Sequence, residues 1–193
     1  MVDVLDMLED VGLFEQFCGT WVRGAAPDVV AAAFEAEAAS KSTRTMAELN
    51  NDLWQLSPYR PVLLAGSIGA DWTFIVERQS CLGADLARLV RLSDEGRLAF
   101  NVNWTVNLAG DLIFARDGVI VSHLSLTNPY LDRSGSAPDE LDPLLRRAVY
   151  AGPPNFNNRV AAAFDLAARL TGTTLGPEWF ETRQTQYLAP ERR

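Results

Sequence analysis

The chain has 193 residues, 48% hydrophobic and 22% charged, and 17 basic against 25 acidic residues give a formal net charge of −8. That length buries enough surface to fold without a metal or disulfide staple, and the composition is globular, not disordered. The acidic balance excludes a broad phosphate-neutralising face for nucleic acid and docking on anionic lipid. No apolar stretch approaches the roughly 20 residues that span a bilayer.

The N-terminus reads Met-Val-Asp-Val-Leu-Asp, acidic where a signal peptide is basic, so a cytoplasmic protein is expected. Lys41 is the single lysine among the cations. With the many alanines, this points to a GC-rich bacterial genome. Cys18 and Cys81 lie far apart in sequence and make no metal-ligand spacing, so two buried free thiols are expected in a reducing compartment.

Taken in chain order, residues 3–11 suggest a short helix. Phe14–Arg23 fits either a helical stripe or a strand, and the Arg23-Gly24 stop favours a strand from about Phe17. Pro27 suits the first turn of a helix over Pro27–Glu37. The small polar residues 38–44 read as a mobile loop. Thr45-x-x-Glu48 has capping-box form and opens a second helix carrying Met46, Leu49 and Leu53.

From Pro61 the period becomes two. Val62–Ser67 and Trp72–Arg78 read as a hairpin turning at residues 68–71. Gly83–Leu92 resembles a helix. Arg97–Asn107 is the clearest strand, with Leu98, Phe100, Val102, Trp104 and Val106 alternating against Asn101, Asn103, Thr105 and Asn107. Asp117-Gly118 then predicts a tight turn between Asp111–Arg116 and Val119–Leu126. Helices follow near 139–148 and at Asn158–Leu170, with a final turn at Pro177–Phe180 and a flexible tail over about 184–193. The expectation is one α+β domain over residues 1–193. Its twisted antiparallel sheet, a hairpin plus a meander, carries helices from both chain ends packed mainly on one face.

No phosphate loop, dinucleotide fingerprint, G-x-S-x-G elbow or H-E-x-x-H motif occurs. His123 is the only histidine, which excludes a two-histidine metal site within one subunit, and it reads as structural. Glu77 and Arg78 read as a local ion pair. No catalytic residue, metal site or cofactor is assigned. The binding candidates are Arg23 at a strand end, the amide-rich face Asn101, Asn103, Thr105 and Asn107, and Trp179 as a lid or interface residue.

Thr20-Trp21-Val22-Arg23-Gly24-x-x-Pro27-Asp28-x-Val30 resembles the opening signature of an uncharacterised actinobacterial domain family of unknown function. Trp72 to Val76-Glu77, the Asn101-x-Asn103 strand, Leu170-Thr171-Gly172 and Pro177-Glu178-Trp179 extend the resemblance over roughly residues 12–181. Residues 78–81 depart from the family's turn. The resemblance implies a bacterial cytoplasmic protein of one domain and assigns no activity. The function expected is a non-enzymatic interaction module, an immunity or regulatory protein that binds another protein. The alternative is a small-molecule-binding protein or enzyme with a pocket between sheet and helices, using Arg23, Glu77 or His123.

Overall fold

A computed structural model describes residues 3–53, 55, 60–107, 109–128, 132–145 and 155–190. Among the described residues its centre is a nine-stranded sheet in which every strand pairing is antiparallel, and the fold is α+β.

Helix α1 (Val4–Asp10) is capped by the Asp3 side chain, which accepts from the Leu5 N–H. Strand β1 (Phe17–Arg23) follows, as the alternation of Cys18, Thr20 and Val22 predicts. Helix α2 (Pro27–Ala33) ends earlier than expected, because Glu35 takes a left-handed φ of 60°. The expected loop at 38–44 is instead a 3-10 turn and a short strand, β2 (Ser42–Arg44). Helix α3 (Met46–Asp52) has the predicted reciprocal capping box at Thr45 and Glu48.

Strands β3 (Val62–Ile68) and β4 (Trp72–Arg78) form the predicted hairpin. A 3-10 turn at Leu82–Ala84 leads into α4 (Leu86–Leu92), capped by Asp85. Then come β5 (Leu98–Trp104), β6 (Gly110–Arg116) and β7 (Val119–Ser125). Asp117 and Gly118 both have positive φ, 51° and 72°, as the tight two-residue turn requires. The two-residue β8 (Arg133–Ser134), α5 (Asp142–Leu145), α6 (Phe156–Thr171), α7 (Pro177–Glu181) and β9 (Gln184–Leu188) complete the chain. The last of these corrects the expected tail. Gln184–Leu188 lies between β2 and β3, hydrogen-bonded to both, so an apparently polar end segment is an internal strand.

The strand order is β2-β9-β3-β4-β1-β5-β6-β7-β8, so β1 joins the hairpin to the meander. One sheet face carries an aromatic core. Phe17 stacks on Trp104 at 4.7 Å, Trp21 meets Phe74 at 4.5 Å, and Phe164 of α6 packs on Phe17 at 5.3 Å. Helices α1, α3, α5, α6 and α7 contribute to this core. The expectation of helices mainly on one face describes this layer, and α2 and α4 add a smaller one opposite, packing Val30, Phe34, Leu89 and Leu92 against Val22, Ile75 and Ala99. Among the described residues, no helix is long and apolar enough to cross a membrane.

Trp104 is fully buried and its indole N–H donates to the Phe14 carbonyl at 2.7 Å. Trp104→Ala is expected to cost about 3–5 kcal/mol in urea melts, the range for emptying a large aromatic site. Val106, 65% exposed just past the end of β5, is the control. Val106→Ser is expected to stay within about ±0.5 kcal/mol. Similar losses for both would remove Trp104 from the core.

Candidate functional site

On the face opposite the aromatic core, the sheet register places polar residues in a row. Glu77 of β4 follows Val76, the partner of Gly19, and so lies beside Cys18; Cys18 faces Asn103, Asn103 faces Asp111, and Asp111 faces Ser125. One step along the strands, Thr20 faces Asn101, Asn101 faces Ile113, and Ile113 faces His123. A period of two puts all of these on one face. The apolar layer of α2 and α4 covers the other end of the same strands.

The loop at residues 79–85 folds back over this polar end and buries it. The Glu77 side chain, 3% exposed, accepts four hydrogen bonds from neutral donors. These come from the Leu82 and Gly83 backbone N–H groups, each at 2.7 Å, the Ser80 hydroxyl at 2.6 Å and the Cys18 thiol at 3.1 Å. Convergent backbone amides form an anion-binding nest, here occupied by the protein's own carboxyl group. A Cβ at Gly83 would collide with Thr20 Oγ1 and come within 2.9 Å of Asn101 Nδ2 and Glu77 Oε1. Only glycine lets the backbone come this close to the sheet.

Asn101 and Asn103 belong to the same cluster. The Asn101 amide donates to Thr20 Oγ1 at 2.9 Å and to the Gly19 carbonyl at 3.1 Å, and its oxygen accepts from Asn103 Nδ2 at 2.8 Å. Burial is the largest influence on the Cys18 thiol, followed by the neighbouring Cys81 thiol and the Glu77 carboxylate; all three hold it well above the usual thiol range.

The structure thus brings together two of the proposed binding residues and separates the rest. Asn101 and Asn103 are buried and bonded to each other rather than presented to a ligand. Thr105 and Asn107 lie past the end of β5, exposed in the following turn. Arg23 is exposed at the far end of β1, about 17 Å along the strand from Cys18 at ~3.4 Å per residue, and has the parity of the opposite face. Trp179 is a core residue and not a lid. Its ring packs edge-on to Phe74 at 4.7 Å and its indole N–H donates to the Ser67 carbonyl at 3.3 Å. Glu77 holds the loop instead of pairing with Arg78, whose guanidinium donates to the Gly12 carbonyl at 2.5 Å. The sequence signal for this role is a glutamate at the last inward position of a strand, closely followed by Ser80 and Gly83.

Concave regions outside the cluster include two that bear on function. His123 Nε2 sits 3.4 Å from Asp111 Oδ1 beside an open cleft of about 360 Å³, with Ser125, Asp132, Arg133 and Ser134. Arg133 is bound there by Asp139 at 2.8 Å and Asp142 at 2.7 Å, and Ser125 bonds Thr127 at 2.9 Å. Among the described residues, no group of three or more His, Cys, Asp or Glu side chains is placed to hold a metal ion. The second region is a groove of about 680 Å³ between α1, α6 and the turn entering α7. Val4, Met7, Phe164 and Leu175 supply apolar lining, and Asp3, Asp165 and Glu178 the charged groups.

Residues 5–190 match a family described as a family of unknown function (DUF6461). The chain belongs to that family. No curated protein and no solved structure matches it. The match therefore covers every strand of the sheet, the loop over Glu77 and the groove lining other than Asp3 and Val4.

Glu77→Ala would leave four buried donors without their acceptor, and is expected to destabilise by at least about 3 kcal/mol, since each stranded group costs on the order of 1–3 kcal/mol. Hydrogen exchange at the Leu82 and Gly83 amides should accelerate by more than the global loss explains. A folded Glu77→Ala protein with unchanged protection at those two amides would show that the carboxylate does not hold the loop.

Proposed function

We propose that this chain is a non-enzymatic protein-interaction module that docks a basic amphipathic segment of another protein in the groove between α1, α6 and the start of α7. The observation that carries the reading is an apolar floor joined to an acidic rim. Among the described lining residues three are carboxylates and none is cationic. Apolar side chains at i, i+3 or i+4 on an incoming helix find contact with Val4, Phe164 and Leu175, while lysine or arginine tips reach the rim.

The rim residues differ in how far they are already engaged. Asp165 pairs with Arg169 one turn on at 2.8 Å, and Asp3 accepts the Leu5 N–H, whereas Glu178 is exposed in the first turn of α7. An incoming cation therefore competes with Arg169 at one point and meets a solvated carboxylate at another. The formal net charge of −8 favours the approach of a basic partner and makes the encounter sensitive to salt. The competing reading, an enzyme or small-molecule pocket built on Arg23, Glu77 or His123, has less support. Glu77 is engaged by four internal donors, Arg23 has the parity of the other face, and the arginine beside His123 is held by two carboxylates.

A synthetic amphipathic helix of leucine and lysine is expected to bind saturably, and its counterpart with glutamate for lysine is not. Ala161 lines the groove and is exposed, so Ala161→Arg changes its charge without disturbing the core. That variant is expected to weaken binding of the basic peptide by about tenfold, equivalent to about 1.4 kcal/mol. Equal binding of both peptides, or a folded Ala161→Arg protein that binds unchanged, would overturn the reading.

A further inference from the structure

Cys18 and Cys81 are both free, and they differ in access: Cys18 is 1% exposed on β1, while Cys81 is half-buried in the loop that covers it. Cys18 and the loop segment that carries Cys81 are brought to one place by a single carboxyl group. Glu77 accepts the Cys18 thiol on one oxygen, and it also accepts Ser80, Leu82 and Gly83, the residues that flank Cys81. The Cys81 thiol is also among the influences that raise the Cys18 thiol, after burial. Gly83 keeps this loop pressed to the sheet, because no side chain fits between it and Thr20, Asn101 and Glu77. Sixty-odd residues of chain separate two thiols that the fold holds as neighbours.

We propose that Cys18 and Cys81 are a peroxide-reactive dithiol, closing reversibly to an intramolecular disulfide that ties the 79–85 loop to the central strand. Cys81, the accessible sulfur, attacks the peroxide. The O–O bond breaks, one oxygen joins Cys81 as a sulfenic acid, and the other leaves as water. The Cys18 sulfur then attacks the Cys81 sulfur. The S–S bond forms, the S–O bond breaks, and the departing hydroxide takes up the Cys18 proton as a second water. Glu77, already accepting that S–H at 3.1 Å, is placed to carry the proton as the bond forms. The two thiols lose two electrons and the peroxide gains them. Without Cys81, Cys18 is protected, because burial first and then Glu77 favour its unreactive thiol form. Cys81 is what makes it oxidisable.

The test treats the folded chain with hydrogen peroxide and then alkylates it under denaturing conditions. The expected product is monomeric, lighter than the reduced chain by two hydrogen atoms, and yields a non-reducing digest in which the Cys18 and Cys81 peptides are joined. Dithiothreitol should restore both thiols. At the same dose, Cys81→Ser should keep Cys18 fully alkylatable. Cys18→Ser should carry a sulfenic acid at Cys81 that dimedone traps. The wild-type digest stands alone if the buried Cys18→Ser substitution impairs folding. Oxidation of Cys81 to sulfinic acid with Cys18 untouched, covalent dimers through Cys81, or oxidation of Cys18 in the folded Cys81→Ser protein would each overturn the proposal.

Discussion

Strand β1 is hydrogen-bonded along both edges, to β4 on one side and β5 on the other, and six of its seven residues are buried. Without it the β3–β4 hairpin and the β5–β7 meander have no common edge. Its two faces impose different demands. Phe17 and Trp21 enter an aromatic cluster whose ring distances of 4.5–5.6 Å to Trp104, Phe74 and Phe100 fall in the range for favourable stacked and tilted contacts. Cys18 and Thr20 face the other way with polar atoms that burial would leave costly unless partnered. The Asn101 amide, the Glu77 carboxyl and the folded-back 79–85 loop meet that demand. The polar cluster is thus a consequence of placing a mixed strand at the centre of a sheet covered on both faces.

Local pattern made much of this fold legible. The alternation in Val62–Ile68, Trp72–Arg78 and Leu98–Trp104, with Asp117-Gly118, specifies the hairpin and the meander, because such features depend only on neighbours in sequence. The position of β1 does not, since its partners lie about fifty and eighty residues away and the choice between them is tertiary. Strands β2 and β9 escape for a related reason. Ser42–Arg44 is three residues long, and Gln184–Leu188 reads as polar because Gln184 and Gln186 are glutamines. Both glutamines are nonetheless buried, and Gln184 donates to the Trp179 carbonyl at 2.8 Å.

The site was legible in part. Alternation correctly placed Asn101 and Asn103 on the face away from the aromatic core. It could not reveal that a loop from residues 79–85 covers that face, so asparagines expected to meet solvent or a ligand instead bond each other and Thr20. Thr105 and Asn107 share their alternation but not their strand, which ends at Trp104. Trp179 shows the reverse. Its place near the C-terminus suggested a lid or interface residue, but β9 returns the chain to the sheet interior and carries α7 with it, setting the indole against Phe74.

The groove and the dithiol lie on opposite sides of the sheet but touch consecutive residues of β1. Phe164 lines the groove and packs on Phe17, while Cys18, the next residue, belongs to the thiol cluster. Proximity of this kind does not by itself couple two sites, which requires an element with two discrete arrangements that both sites bias. β1 is poorly suited to that role. It is fixed by ladders on both edges, stacked aromatics on one face and the Asn101–Thr20 bond on the other. The element that bears Cys81 is the 79–85 loop, which is held at the Glu77 cluster by the Glu77 carboxyl group and leads directly into α4 through the Asp85 cap. A covalent link at Cys81 would therefore act on the loop, α4 and the face they cover. The groove lies on the other side of β1, beyond the aromatic layer.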